Sequence, residues 1–228
     1  MTIQSLDDLE LREVRLNIPL SEESVKDLRM GDIVYLDGGI FTGRSLWCIH
    51  VIEKGNPPPI DITNEFNVMM HSSPAGAEVK PNEYRISGIT CTSGFRFSPW
   101  IPKLLEKYHL RAVIGKAGMR EDLYRYFKEY NAVYLTSVGY GLGALYAEGV
   151  KRVKAVYWKE ELGIAEAMWI LEVENMGPFF VACDTQGNSL WSLANERINM
   201  QLSNLYKDKK TYLLKRLGEI TTPEEEPI

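Results

Sequence analysis

The sequence has no run of about 18 apolar residues, the least a helix needs to cross a bilayer, so no transmembrane segment is expected. It has no excess of positive charge. Its 26 Lys and Arg stand against 31 Asp and Glu, a net charge of −5, which argues against nucleic acid or an anionic membrane as the main partner. The start, MTIQSLDDLELREVRL, lacks the basic-then-apolar pattern of a signal peptide, and a cytoplasmic protein is expected. Cysteine is scarce: Cys48, Cys91 and Cys183 are odd in number and far apart, which fits reduced thiols rather than a disulfide framework. No CxxC pair occurs, so their spacing gives no support to an iron–sulfur cluster held by these three. His50, His71 and His109 are scattered, and no pair has metal-ligand spacing, so no metal site is expected on this chain. Internal repeats and low-complexity blocks are absent.

What remains is an ordinary globular composition, 45% hydrophobic and 25% charged, in 228 residues. A chain this long buries most of its apolar surface without disulfides or a structural metal. One domain over residues 1–218 is expected, with the acidic tail TTPEEEPI, about residues 219–228, disordered.

The periodicity predicts a strand at EVRLNIPL, a short helix at SEESVKDL capped by Ser21, and a strand at GDIVYLDGGIFTG running into a glycine turn. RSLWCIHVIEKG is apolar and halts at Gly55, where a helix stops. Residues 60–83 are poorly patterned. From Tyr84 strands and helices alternate: YRISGITC, then SPWIPKLLEKY with Pro99 in its first turn, RAVIG, REDLYRYFKEY, NAVYLTSV, GLGALYAEGV and RVKAVYW. That alternation predicts a layered α/β fold with a mostly parallel central sheet flanked by helices. Two apolar strands hinged at Met176-Gly177-Pro178 and a long amphipathic helix from LANERINMQL onward complete the pattern.

Ligands of such sheets collect beyond the carboxyl ends of parallel strands. Three turns there carry cations: Arg44 in FTGR, Arg96 in TSGFR and Lys116 in IGKAGM. A guanidinium fork beside helix N-termini suits a small dianion such as a dicarboxylate. Taken singly, each is better read as a surface or salt-bridged cation. Thr92 and Ser93 are ordinary helix-capping types. The alternative makes Thr92 a proton-transfer group, which needs a cation such as Lys116 to lower its pKa. Gly94 and Gly118 are expected to let the backbone approach a ligand. The glycines of GYGLGALYAEG lack the full dinucleotide-binding spacing, and Asp184 in CDTQGNSLW reads as a turn cap.

Taken together, GDIVYLDGGIFTGR, TSGFR, AVIGKAGM, GLGALYAEGVKRVKAVYWKEELGIAEAMWILEV and GPFFVACDTQGNSLW resemble the β subunit of the iron–sulfur hydro-lyases, class I fumarase and L(+)-tartrate dehydratase. The resemblance runs in order from about Gly31 to Trp191. It implies reversible hydration of a small dicarboxylate and a swivelling-type α/β domain. It also implies a four-iron four-sulfur cluster carried by a separate α subunit, in a homodimer or α2β2 assembly. By position, it makes Thr92 the catalytic base and Arg44, Arg96, Lys116 and Ser93 substrate contacts. The sequence departs from the family pattern at Ser45 (for Asp), Cys48 (for His), Thr90 and Cys91 (for Gly-Pro), Phe97 (for Met) and Ala117 (for Gly). A diverged, non-catalytic dicarboxylate- or anion-binding protein of the same fold is the alternative.

Overall fold

In a computed structural model, residues 11–206 are described, except 138 and 140 and the side chains of 203–206. The expected acidic tail and the far end of the C-terminal helix lie outside the described residues. The chain runs β1 (Glu13–Asn17), α1 (Glu22–Lys26), β2 (Ile33–Thr42), α2 (Ser45–Cys48, continued by a π-helical turn over Ile49–Glu53), β3 (Val68–Met70), β4 (Ala75–Lys80) and β5 (Glu83–Gly88). A 3-10 turn at Gly94–Phe97 leads into α3 (Ile101–Tyr108), β6 (Ala112–Gly115), α4 (Tyr124–Glu129), β7 (Val133–Ser137), α5 (Gly143–Glu148), β8 (Val150–Tyr157), α6 (Lys159–Leu162), β9 (Met168–Cys183) and α7 (Leu190–Tyr206).

Several elements form where local chemistry places them. Ser21 caps α1, its hydroxyl accepting from the Ser24 N–H at 3.1 Å. Gly55 takes φ +76°, a left-handed turn that ends the α2 segment. Asp184 caps its turn as expected, accepting from the Gln186 and Asn188 N–H groups and the Asn188 amide, and holding the Met30 N–H as well.

The sheet corrects the sequence expectation. Its seven strands lie in the order β1-β2-β3-β6-β7-β9-β8, and β2 also pairs with β9. The circuit β2-β3-β6-β7-β9 therefore returns on itself as a partial barrel. The pairings β1–β2, β2–β3, β3–β6 and β6–β7 are parallel, but β2–β9, β7–β9 and β8–β9 are antiparallel, so the sheet is mixed rather than mostly parallel. The strand expected at YRISGITC leaves this sheet altogether and forms a hairpin with β4. The two strands expected around Met176-Gly177-Pro178 are one 16-residue strand. A register shift opposite Val34–Leu36 absorbs the Gly-Pro pair, so the missing proline N–H interrupts no ladder bond. The helix expected from Pro99 begins only at Ile101, after the 3-10 turn.

Strand alternation divides the core in two. One face carries Val34, Leu36, Ile40, Met70, Ile114, Leu135, Leu171 and Val181, covered by α5 through Tyr146, which stacks on Phe179 with ring centroids 4.9 Å apart. The other carries Phe41, Met69, Val113, Tyr134 and Ile170, covered by α2, α3 and α4 through Trp47, Leu104, Leu105 and Phe127. Helices thus lie on both faces, as the α/β reading requires. None of the described helices is long and apolar enough to cross a membrane.

Candidate functional site

Four neighbouring strands, β2, β3, β6 and β7, are parallel, so their carboxyl ends share one edge. Backbone hydrogen bonds stitch that edge into a rim. The Gly43 N–H donates to Met70 O (3.1 Å) and the His71 N–H to Ile114 O (2.8 Å). The Thr92 N–H donates to His71 O (2.7 Å), the Lys116 N–H to Thr92 O (3.1 Å) and the Gly94 N–H to Lys116 O (2.9 Å). The loop at Cys91–Gly94 thus enters as a short extra strand between the ends of β3 and β6, bridging Ser72 with Cys91 and Ser93 with Lys116. Across the rim the order is Arg44, His71, Thr92–Ser93, Lys116.

The sequence-predicted residues fall on this rim unequally. Thr92, Ser93 and Lys116 are adjacent backbone partners, all half-buried. Ser93 stands at the N-cap of the 3-10 turn, yet its hydroxyl makes no capping bond there. Arg44 is held by an ion pair to Glu166 (Nε to Oε1, 3.4 Å), and its Nη1 donates to Ala165 O at 3.2 Å. Arg96 lies just beyond the rim on the 3-10 turn, with its side chain exposed.

The glycines serve packing more than ligand approach. A Cβ on Gly94 would fall 2.1 Å from the Tyr134 hydroxyl, and one on Gly115 2.4 Å from it. Tyr134 is fully buried and supports both loops from below; its hydroxyl donates to Lys116 O at 3.5 Å. The space beside Gly118 is taken by Trp191 and the Tyr124 hydroxyl. Ala117 holds φ +56°, the left-handed region where glycine carries no penalty and alanine costs about 1–2 kcal/mol.

His71 was missed by a search for metal spacing. The signal was its place directly after the apolar triplet of β3, in VMMHSS. It is fully buried, stacked on Phe97 with ring centroids 3.8 Å apart and planes 8° from parallel. Burial holds its pKa down to about 4, against a smaller opposing effect from the Gly43 carbonyl. The neutral ring therefore donates from Nδ1 to Gly43 O (3.2 Å), and Nε2 is buried with no partner among the described residues. The imidazole ties the Arg44 loop to the strand that holds Thr92.

The three thiols are buried, and desolvation raises the pKa of each, that of Cys91 to about 12. Among the described residues no three His, Cys, Asp or Glu gather to hold a metal ion. The described residues offer no set of ligands that fits an iron–sulfur cluster. Against that rise, Ser137 and, to a smaller extent, the charge of Lys116 hold the Cys91 thiol pKa down.

A cleft of about 600 Å³ opens beside the rim, between Phe95, Met119–Asp122 and the α7 residues Ser192, Asn195, Glu196 and Asn199. Its carboxylates, Glu121, Asp122 and Glu196, outnumber its one cation, Arg120, so it is ill suited to a dianion.

Residues 2–194 match the model of a protein family described as the fumarase C-terminus. The chain belongs to this family. A Methanocaldococcus jannaschii protein named for the β subunit of L(+)-tartrate dehydratase is 37% identical over 189 residues, covering 82% of this chain and 95% of that one. The L(+)-tartrate dehydratase subunit beta of Escherichia coli K12 is 28% identical over 178 residues, 77% of this chain and 85% of its own. A Geobacillus stearothermophilus protein named for class I fumarate hydratase is 32% identical over 183 residues, but these make up only 34% of its length. In this fumarase C-terminal domain the family match ends at residue 194, while α7 runs on to Tyr206.

Proposed function

We propose that this chain is the β subunit of a cytoplasmic iron–sulfur hydro-lyase that adds water to, or removes it from, a small dicarboxylate of the fumarate/malate or tartrate type. Its partner is an α subunit, which carries the four-iron four-sulfur cluster, in an α2β2 assembly or one built on a homodimer of this chain. Family membership and relatives named for hydro-lyases, two of them for a β subunit, support the reaction class. The observation that carries the site is the hydrogen-bonded rim, which sets Thr92, Ser93 and Lys116 side by side, with His71 between them and the Arg44 loop.

On this reading Arg44, Arg96 and Lys116 hold the substrate carboxylates, and Ser93 adds a hydroxyl contact. Thr92 Oγ1 receives the proton from the substrate carbon in dehydration and returns it in hydration. A threonine hydroxyl is a weak base, and the Lys116 cation favours its anionic form, as it does for the neighbouring Cys91 thiol. The half-open rim closes to water only against a partner surface.

Anaerobic co-expression with the α subunit, followed by hydratase assays over a panel of dicarboxylates, tests the proposal. Turnover of at least one dicarboxylate by the complex, and none by this chain alone, is expected. A complex that binds dicarboxylates but turns none over would favour the diverged binding protein instead.

A further inference from the structure

The Arg44 turn contains no acidic residue of its own: Gly43 precedes the arginine, and Ser45, Leu46, Trp47 and Cys48 follow it. A carboxylate nevertheless reaches it from the far side of the sequence. Glu166, in the connection between α6 and β9, places Oε1 3.4 Å from Arg44 Nε and accepts the Leu46 N–H on Oε2 at 2.9 Å. Its two oxygens thus hold the arginine head and the first turn of α2 at once. The carbonyl of Ala165, next to it, takes Arg44 Nη1.

The segment carrying Glu166 is itself fixed. The Glu166 and Ala167 N–H groups donate to Gly163 O at 3.0 and 2.9 Å. The buried Trp169 indole N–H donates to Ile164 O at 3.1 Å. The Trp169 backbone N–H donates at 3.1 Å to the hydroxyl of Thr42, the last residue of β2 before the Arg44 turn. The pair is largely sheltered, with side-chain exposures of 24% for Arg44 and 18% for Glu166. Water therefore screens it less than an open surface pair. Glu166 pairs with the Nε side of the guanidinium and Ala165 O takes an Nη1 hydrogen, and among the described residues Nη2 has no partner.

We propose that Glu166 is a positioning residue for the substrate. It holds the Arg44 guanidinium by its Nε and Nη1 groups at one end of the rim and leaves Nη2 for a substrate carboxylate. The proposal rests on the reading of Arg44 as part of the carboxylate clamp. A loose arginine must be ordered at each binding event, and Glu166 removes that cost in advance. Arg44 lies away from Thr92 along the rim, so the effect belongs to substrate binding rather than to proton transfer.

The test is a double-mutant cycle in the assembled αβ enzyme, with Arg44→Met, Glu166→Gln and the pair, read as KM and kcat for the best dicarboxylate and as melting temperature. Arg44 and the Leu46 N–H each face a different oxygen of Glu166, and glutamine turns one of those positions into an NH2 donor set against a donor. Arg44→Met is expected to raise KM. Glu166→Gln is expected to raise it about tenfold with kcat within about threefold. The double variant should resemble Arg44→Met alone. If Arg44→Met raises KM but Glu166→Gln does not, or if the two effects multiply independently, the positioning role is overturned and the clamp stands. If Arg44→Met leaves KM unchanged, both fail. Should Glu166→Gln not assemble, Glu166→Asp decides: it keeps the charge, shortens the reach and is expected to give a smaller rise in KM, and an unchanged KM overturns the role.

Discussion

Thr92→Ala, assembled with the α subunit, is expected to lose about 10²–10⁴-fold in kcat while KM changes little, because the change removes the proposed proton acceptor and leaves the cations in place. The fold should tolerate it. The backbone of Thr92 is held at both ends of the rim, by its N–H on His71 O and its carbonyl under the Lys116 N–H, and neither bond uses the side chain. Steady-state kinetics on the purified complex, with gel filtration to show intact assembly, checks both halves. Thr92→Ser, which keeps a hydroxyl, should retain much of the activity. Near-normal turnover by the alanine variant would remove Thr92 from the role of base, and with it the reason for placing a cation beside it.

The second large effect concerns stability. His71 has its pKa lowered from 6.5 to about 4, chiefly by burial. Between those values the unfolded chain binds a proton that the folded chain refuses, so stability rises with pH through this window. The contribution is fully present above about pH 6.5 and fades as pH falls towards 4. From about pH 7.5 to about pH 4.5 it amounts to about 2–3 kcal/mol. Urea unfolding of the full chain and of His71→Gln at the two pH values isolates it, since the carboxylates titrate in both proteins. The native chain should lose about 2–3 kcal/mol more than the variant on acidification. Equal losses would show that His71 takes up its proton as easily folded as unfolded.

Much of the architecture was legible from local pattern. Ser21 with two glutamates marked α1, and short apolar runs bounded by turn residues marked β1, β2, β6 and β7. Strand direction was not legible, because a two-residue period reads the same for parallel and antiparallel partners. Nothing in YRISGITC distinguishes a sheet strand from the hairpin strand β5, and nothing in RVKAVYW sets β8 antiparallel to β9. Gly177-Pro178 looked like a break because a proline ends most ladders; here a register shift accommodates it.

The site divides in the same way. Arg44, Thr92, Ser93 and Lys116 were visible because each follows a strand at a turn, and the strand ends bring their backbones to one edge. His71 and Glu166 were not. The place of His71 is set by three strands meeting around it, and Glu166 meets Arg44 from more than a hundred residues away. The glycines were seen but misread, since the space each leaves is filled by Tyr134 or Trp191 from distant elements.

The claim on which the account rests is that cations from separate loops grip one diacid. Isothermal titration of the αβ complex with a non-reacting saturated dicarboxylate, compared with the corresponding monocarboxylate and with inorganic phosphate, tests it most directly. One dicarboxylate per αβ unit is expected, with at least tenfold weaker binding of the other two and a further loss of about tenfold or more in each of Arg44→Met, Arg96→Met and Lys116→Met. Equal affinity for the mono- and dicarboxylate, with the three variants binding like the native complex, would contradict it.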